Sequence, residues 1–187
     1  MRVTVTPQQL RAAFEPVKDQ PDFAESCALV ERGRLPVEMI QAMALRPEIL
    51  AAFGEFGSCV YPGGLLERSI KELVIIEASR ANACQFCADS HVVVAKVLGI
   101  SDDPLKALDD PDSLTPRERL AVEYTRAAMA DSNRIPNELF DRLKADFSEP
   151  EIVELTFLIG FINMLNLFNN ALQVTYHGEY DALSEQG

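Results

Sequence analysis

Apolar residues recur along this chain at three- and four-residue intervals, with almost no strict apolar/polar alternation. That pattern predicts helices rather than strands. Thr6-Pro7 offers a hydroxyl cap followed by proline at the first helical position, predicting a helix over Gln8 to Glu15. Pro36 and Pro47 open two further short helices, the second ending near Gly54 and Gly57, and Tyr61-Pro-Gly-Gly64 reads as a turn. From Leu65 to about Ala81, Ile70, Leu73, Val74 and Ile76 give a helix a broad apolar face. A second helix begins around Cys84 and stops at Gly99, a residue suited to the left-handed position beyond a helix end.

The second half repeats these signals. Thr115-Pro-Arg-Glu118 is a capping box opening a helix through about Ala130, and Pro136 starts a shorter one to Ala145. Ser148-Glu-Pro-Glu151 is another capping box, launching a long helix toward Val174. Within it, Phe157 to Phe168 is apolar around nearly the whole circumference, so burial on all sides is expected, in a core or at a subunit interface. The fold class is therefore all-α. A faint internal repeat sets Ser69-Ile-Lys-Glu-Leu-Val-Ile-Ile-Glu77 over Pro150-Glu-Ile-Val-Glu-Leu-Thr-Phe-Leu158, with Glu72 over Glu154. In each copy an apolar helix is followed by a polar patch, which holds cysteines in the first and asparagines in the second.

Length and charge narrow the picture. A chain of 187 residues suits one large domain or two fused small ones. We read residues 1–187 as one domain: N-terminal helices over 1–64, a cysteine-bearing core over 65–100, and a degenerate second helical copy over 101–187. The net charge of −12 argues against binding to nucleic acid or to an anionic membrane surface. No apolar leader stands at the N-terminus, and Val153 to Leu172 is interrupted by Glu154, Asn163, Asn166, Asn169 and Asn170, too polar for an uninterrupted span. A cytoplasmic protein is expected. In that compartment, a close C-x-x-C pair signifies redox chemistry or metal binding rather than a structural disulfide.

That pair is Cys84 and Cys87, with His91 four residues on. On one helix the three fall within roughly 60° of one another, so they share a face. Cys84 sits at the helix entrance, where unpaired N–H groups and the dipole favour a thiolate. An imidazole beside a thiol can take its proton, and the thiolate is the species that reacts with peroxides and disulfides. Two buried cysteines with a core histidine, or a zinc site, are the competing readings. Zinc needs four ligands where this cluster supplies three, leaving Glu72, Glu77 or His177 to complete the set, and there is no second C-x-x-C. A redox dithiol without metal or cofactor is preferred. Cys27 and Cys59 are isolated and read as small buried apolar residues. His177 reads as a surface residue near the C-terminus, and Asp102-Asp103 and Asp109-Asp110 as solvated loop charges. Asn166, Asn169 and Asn170 fit either a pocket lining or helix-packing hydrogen bonds.

The stretch from Lys71 through His91, with Gly99 following, resembles the core of the alkylhydroperoxidase AhpD-like proteins of the carboxymuconolactone decarboxylase superfamily. In that family a glutamate precedes the first cysteine by twelve residues and a histidine follows the second by four; here these are Glu72, Cys84, Cys87 and His91. The resemblance implies an AhpD-like helical fold and a proton relay from Cys87 through His91 to Glu72. It implies that Cys87 attacks a hydroperoxide and that Cys84 resolves the sulfenic acid to a disulfide, reduced in turn by an external dithiol protein. The residues alone leave Cys84 as a candidate nucleophile, from its place at the helix start, and Glu77 as a second candidate carboxylate. The resemblance further implies a homo-oligomer, from dimer to hexamer. One departure from some family members is Gln85-Phe86 between the cysteines, where a second histidine can stand. The expected function is thiol-dependent hydroperoxide reduction. Its rivals are a carboxymuconolactone-decarboxylase-like lyase, against which the dithiol speaks, and a non-enzymatic zinc or redox-sensing module.

Overall fold

The structure, a computed structural model, describes residues 1–180. Among them the chain forms α1 (Pro7–Phe14), α2 (Ala24–Glu31), α3 (Glu38–Met43), α4 (Pro47–Ser58), α5 (Arg68–Ala81), α6 (Gln85–Val97), α7 (Pro104–Asp109), α8 (Pro116–Asp131), α9 (Asn137–Asp146) and α10 (Glu149–Leu172), and no strand. Residues 181–187 of the stretch read as a second copy lie outside the described residues.

The caps read from the sequence close as hydrogen-bonded pairs. Thr6 Oγ1 accepts the Gln9 N–H while Gln9 Oε1 accepts the Thr6 N–H. Thr115 and Glu118 form the same reciprocal box, and the Ser148 N–H donates to Glu151. The helix α2 carries no side-chain cap. Asp103, expected as a solvated loop charge, instead caps α7 by accepting the Lys106 N–H at 3.2 Å. Asp109 of the second acidic pair accepts from Arg80 at 2.8 Å.

The chain divides into two compact units, one of residues 1–64 with Ala171–Thr175, the other of Leu65–Asn170 with the chain from Tyr176. In the first, Phe14 and Phe23 meet edge to face with centroids 6.1 Å apart, and the Arg2 N–H donates to the Leu172 carbonyl at 2.6 Å.

In the second unit α5 runs through the core, packed along α6 and α8. Ile70 to Ile76 are all buried. Leu73 and Ile76 pack with Ala95, Ala107, Leu108, Leu114 and Val122. Two adjacent charges, Lys71 and Glu72, lie in this run with no exposed surface. Lys71 pairs with Glu154 of α10 at 2.6 Å, and Glu154 also accepts the N–H groups of Leu65 and Leu66 at 2.5 and 3.1 Å. Burial pushes the Glu154 carboxyl up, but Lys71 and these N–H groups outweigh it and hold the carboxyl below its usual range. The stabilisation from this depressed carboxyl is present at neutral pH and is lost as the pH falls through its folded-state value. Removing one member of a buried pair strands the other charge. Glu154→Leu should therefore lower unfolding stability by about 3–5 kcal/mol in denaturant titration, and adding Lys71→Met should recover part of the loss.

Within the single chain, α10 is buried on one face only. Its inward face is buried, whereas Val153, Phe157, Met164 and Leu167 are exposed, at successive intervals of four, seven and three residues. An outward stripe at that spacing is one face of a helix. By length and composition alone α10 could cross a bilayer, with a mean hydropathy of 1.6. The buried polar groups Glu154, Asn166 and Asn169 are nonetheless committed to partners within the unit.

Candidate active site

The dithiol is placed by the junction of α5 and α6. Ala83 adopts φ +50, its N–H donates to the Arg80 carbonyl at 3.0 Å, and the Cys84 N–H donates to the Ser79 carbonyl at 2.8 Å. This pair of bonds is the Schellman closure of a helix, made here with alanine where glycine is usual. A left-handed alanine costs roughly 1–2 kcal/mol, and the closure sets Cys84 immediately before the first residue of the next helix. Cys84 is the N-cap residue of α6, and Cys87 is its third residue. Both thiols are free and buried. The far end of α6 closes in the same way on Gly99, at φ +66, as its place in the sequence predicts.

Glu72 faces inward from α5. Its Oε2 lies 2.7 Å from His91 Nδ1, and its Oε1 accepts from Arg68 Nε at 2.6 Å. A carboxylate held by a guanidinium has only acceptors to offer. Nδ1 must then carry the proton of that hydrogen bond, which leaves Nε2 of neutral His91 as a lone-pair acceptor.

The two sulfurs are electrostatically unequal. The Cys87 thiol, donating toward Cys84, lowers the Cys84 pKa to about 7. Burial opposes this shift, while the Cys87 backbone N–H and the amides of Asn166 and Asn169 favour it. Cys87 is shifted the opposite way, because it is the donor in that bond and is buried. Two thiols sharing a hydrogen bond titrate as a pair: the first proton leaves easily and the second with difficulty. In the singly charged pair the anion rests on Cys84, the sulfur that the helix entrance favours.

The asparagines of α10 close the site. Asn169 Nδ2 donates to Cys87 Sγ at 3.2 Å. Asn166 donates to Ser79 Oγ at 3.1 Å and accepts from Asn82 at 3.0 Å. The asparagines of the second copy thus bond with the dithiol and also across helices.

Cys84 and Cys87 lie at the start of α6, next to the end of α5, while Glu72, in the first half of α5, reaches His91, midway along α6. Glu77 is engaged elsewhere, by Arg126 at 2.6 Å and by Arg80. His177 is exposed. Cys27 is buried in α2, with burial raising its thiol pKa. Cys59, expected to be buried, is exposed at the end of α4, where its thiol donates to the Glu55 carbonyl at 3.5 Å. Arg68 was not read from the sequence as part of the site, although its place four residues before Glu72 is the spacing of a helical ion pair. A cleft of about 260 Å³ beside Leu73, Asp103, Lys106 and Glu118 includes none of the four site residues. Among the described residues no three His, Cys, Asp or Glu side chains are grouped as metal ligands.

Fold and site together define an all-helical protein with a buried C-x-x-C pair beside a glutamate-held histidine. A sequence model of the carboxymuconolactone decarboxylase family matches residues 47–127, which contain all four site residues. The uncharacterized protein YdfG of Bacillus subtilis (strain 168) is 31% identical over 111 residues, 57% of this chain and 76% of YdfG. An Agrobacterium tumefaciens protein of unknown function, suggested to be the antioxidant defence protein AhpD, is 28% identical, with a TM-score of 0.65 over 72% of this chain and 94% of that one. The debrominase Bmp8, as a cysteine-to-alanine variant with 2,3,4-tribromopyrrole, shares the fold at 22% identity, with a TM-score of 0.73 over 100% of this chain and 98% of its own. The chain belongs to the AhpD/carboxymuconolactone decarboxylase superfamily.

Proposed function

We propose that the protein is a thiol-dependent hydroperoxide reductase. The observation that carries this reading is the 2.7 Å bond between buried Glu72 and His91, on the helix that opens with Cys84 and Cys87. His91 Nε2 takes the first proton of the dithiol, leaving one negative charge and one proton on the pair. When the remaining proton shifts from Cys87 to Cys84 along their hydrogen bond, Cys87 becomes the thiolate. Its sulfur attacks the distal peroxide oxygen: an S–O bond forms, the O–O bond breaks, and His91 returns its proton to the departing alkoxide. Cys84 then attacks the Cys87 sulfenic acid, forming the disulfide and releasing water. The two sulfurs are oxidised, the peroxide is reduced to alcohol, and both thiol hydrogens leave in the products. An external dithiol protein restores the reduced pair by exchange. The exposed stripe of α10 is consistent with a homo-oligomer.

The test is a thiol titration on the purified, reduced protein. One equivalent of cumene hydroperoxide should consume two thiols, with a disulfide linking Cys84 and Cys87 in the peptide map. Dithiothreitol should then sustain turnover. Thiol loss no faster than that of free cysteine would overturn the proposal.

A further inference from the structure

The faint repeat acquires a register in the structure. Glu72 precedes Cys84 by twelve residues and Cys87 by fifteen; Glu154 precedes Asn166 and Asn169 by the same two intervals. Both carboxylates are buried, and so are both amides. The second copy thus presents an amide at each position where the first presents a thiol, and Asn169 meets its counterpart, donating to Cys87 Sγ at 3.2 Å.

Chemistry gives that contact a direction. Asn169 and Cys87 are 1% and 3% exposed, so water is a poor source of solvation for charge on this sulfur. Burying an amide is unfavourable unless it is hydrogen-bonded, and leucine of similar size would pack at this site without that burden. An amide N–H can only donate, and donors to the charged form of a group favour that form. The titratable and charged groups of the site are Cys84 and His91 on α6, and Glu72 with Arg68 on α5. At this point α10 contributes the neutral amides Asn166 and Asn169.

We infer that Asn169 is a positioning residue that makes Cys87 the attacking sulfur, its amide N–H solvating negative charge there and drawing the proton shared by the pair toward Cys84. The inference rests on the proposed role of the dithiol, and it accounts for how Cys87 reacts although the anion rests on Cys84.

Each sulfur can be examined alone. In a Cys84→Ala background, iodoacetamide alkylation as a function of pH, read at the Cys87 peptide by mass spectrometry so that Cys27 and the exposed Cys59 do not contribute, reports the Cys87 thiolate without any peroxide. There, Asn169→Leu should raise the apparent pKa of Cys87 by about one to two units and slow alkylation at pH 7 about tenfold or more. In a Cys87→Ala background the same substitution should change Cys84 alkylation less than about threefold, because Asn169 is the least of the influences on that sulfur. An unchanged Cys87 profile, or equal changes at both sulfurs, would overturn the inference, the second outcome marking general disturbance of the junction. A shifted Cys87 profile in a protein that fails to consume peroxide would uphold Asn169 and sink the hydroperoxide reading, so the two failures are distinguishable.

Discussion

Replacing Cys87 by serine should reduce peroxide turnover to the uncatalysed background, a loss of about 10³-fold or more, as expected when a covalent nucleophile is removed. Replacing Cys84 by serine should have a different signature. Cys87 should still attack once, but with no neighbouring thiol to close the disulfide, a sulfenic acid should accumulate and be trapped by dimedone. The asymmetry tests the assignment directly, since the acidic thiol at rest is Cys84, near 7. If Cys84→Ser lost its first reaction with peroxide and Cys87→Ser kept it, the resting anion would be the nucleophile and the roles would be reversed. A companion measurement checks the electrostatics. Cys87→Ala deletes the S–H donor that is the largest influence on Cys84. The Cys84 thiolate, followed by its absorbance near 240 nm, should then titrate at higher pH, toward the ordinary thiol value of about 8.5.

How much of this arrangement the sequence discloses depends on whether its cause is local. Capping boxes are local: Thr115 and Glu118 are three residues apart, and their reciprocal bonds follow from that spacing. Cys84, Cys87 and His91 sharing a face of α6 follows from helical geometry, and Gly99 from the left-handed closure of the same helix. The short helices α2 and α7 have too few turns to show a period, and α7 depends on an aspartate cap indistinguishable in sequence from a surface charge. Lys71 and Glu72 stand side by side with opposite charges, which ordinarily marks a solvated face. Their burial depends on Glu154, His91 and Arg68, of which only Arg68 is a near neighbour on the same helix. The inward turn of Glu72 was legible only through the family spacing. The Asn169 contact spans 82 residues, and no periodicity in one segment can report a partner that far away. Apolar composition likewise cannot say which side of α10 is covered, and half of its circumference proved to be exposed.

Glu72→Gln should fold and yet react with peroxide about 10²–10⁴-fold more slowly at neutral pH, the range expected when general acid–base assistance is lost. The reason lies in hydrogen-bond valence. Glu72 accepts from Arg68 at one oxygen and from His91 Nδ1 at the other. A glutamine of the same shape keeps its carbonyl oxygen toward Arg68, since a guanidinium has no lone pair to offer the amide NH₂. The NH₂ then faces Nδ1, which must become the acceptor, and the ring proton moves to Nε2. His91 is left in the tautomer that cannot take a thiol proton through Nε2, with its position little changed. Circular dichroism and a melting curve should show a folded helical protein, separating lost chemistry from lost structure. Raising the pH toward the ordinary thiol value of about 8.5 should restore part of the rate, because thiolate then forms without the histidine. Glu77→Gln supplies the contrast. That carboxylate is held by Arg126 and Arg80, so its replacement should leave the peroxide rate within about threefold of wild type, even if some stability is lost with the ion pairs. Wild-type kinetics in Glu72→Gln together with a large loss in Glu77→Gln would mean that the relay runs through the other carboxylate and that the bond between Glu72 and His91 is structural.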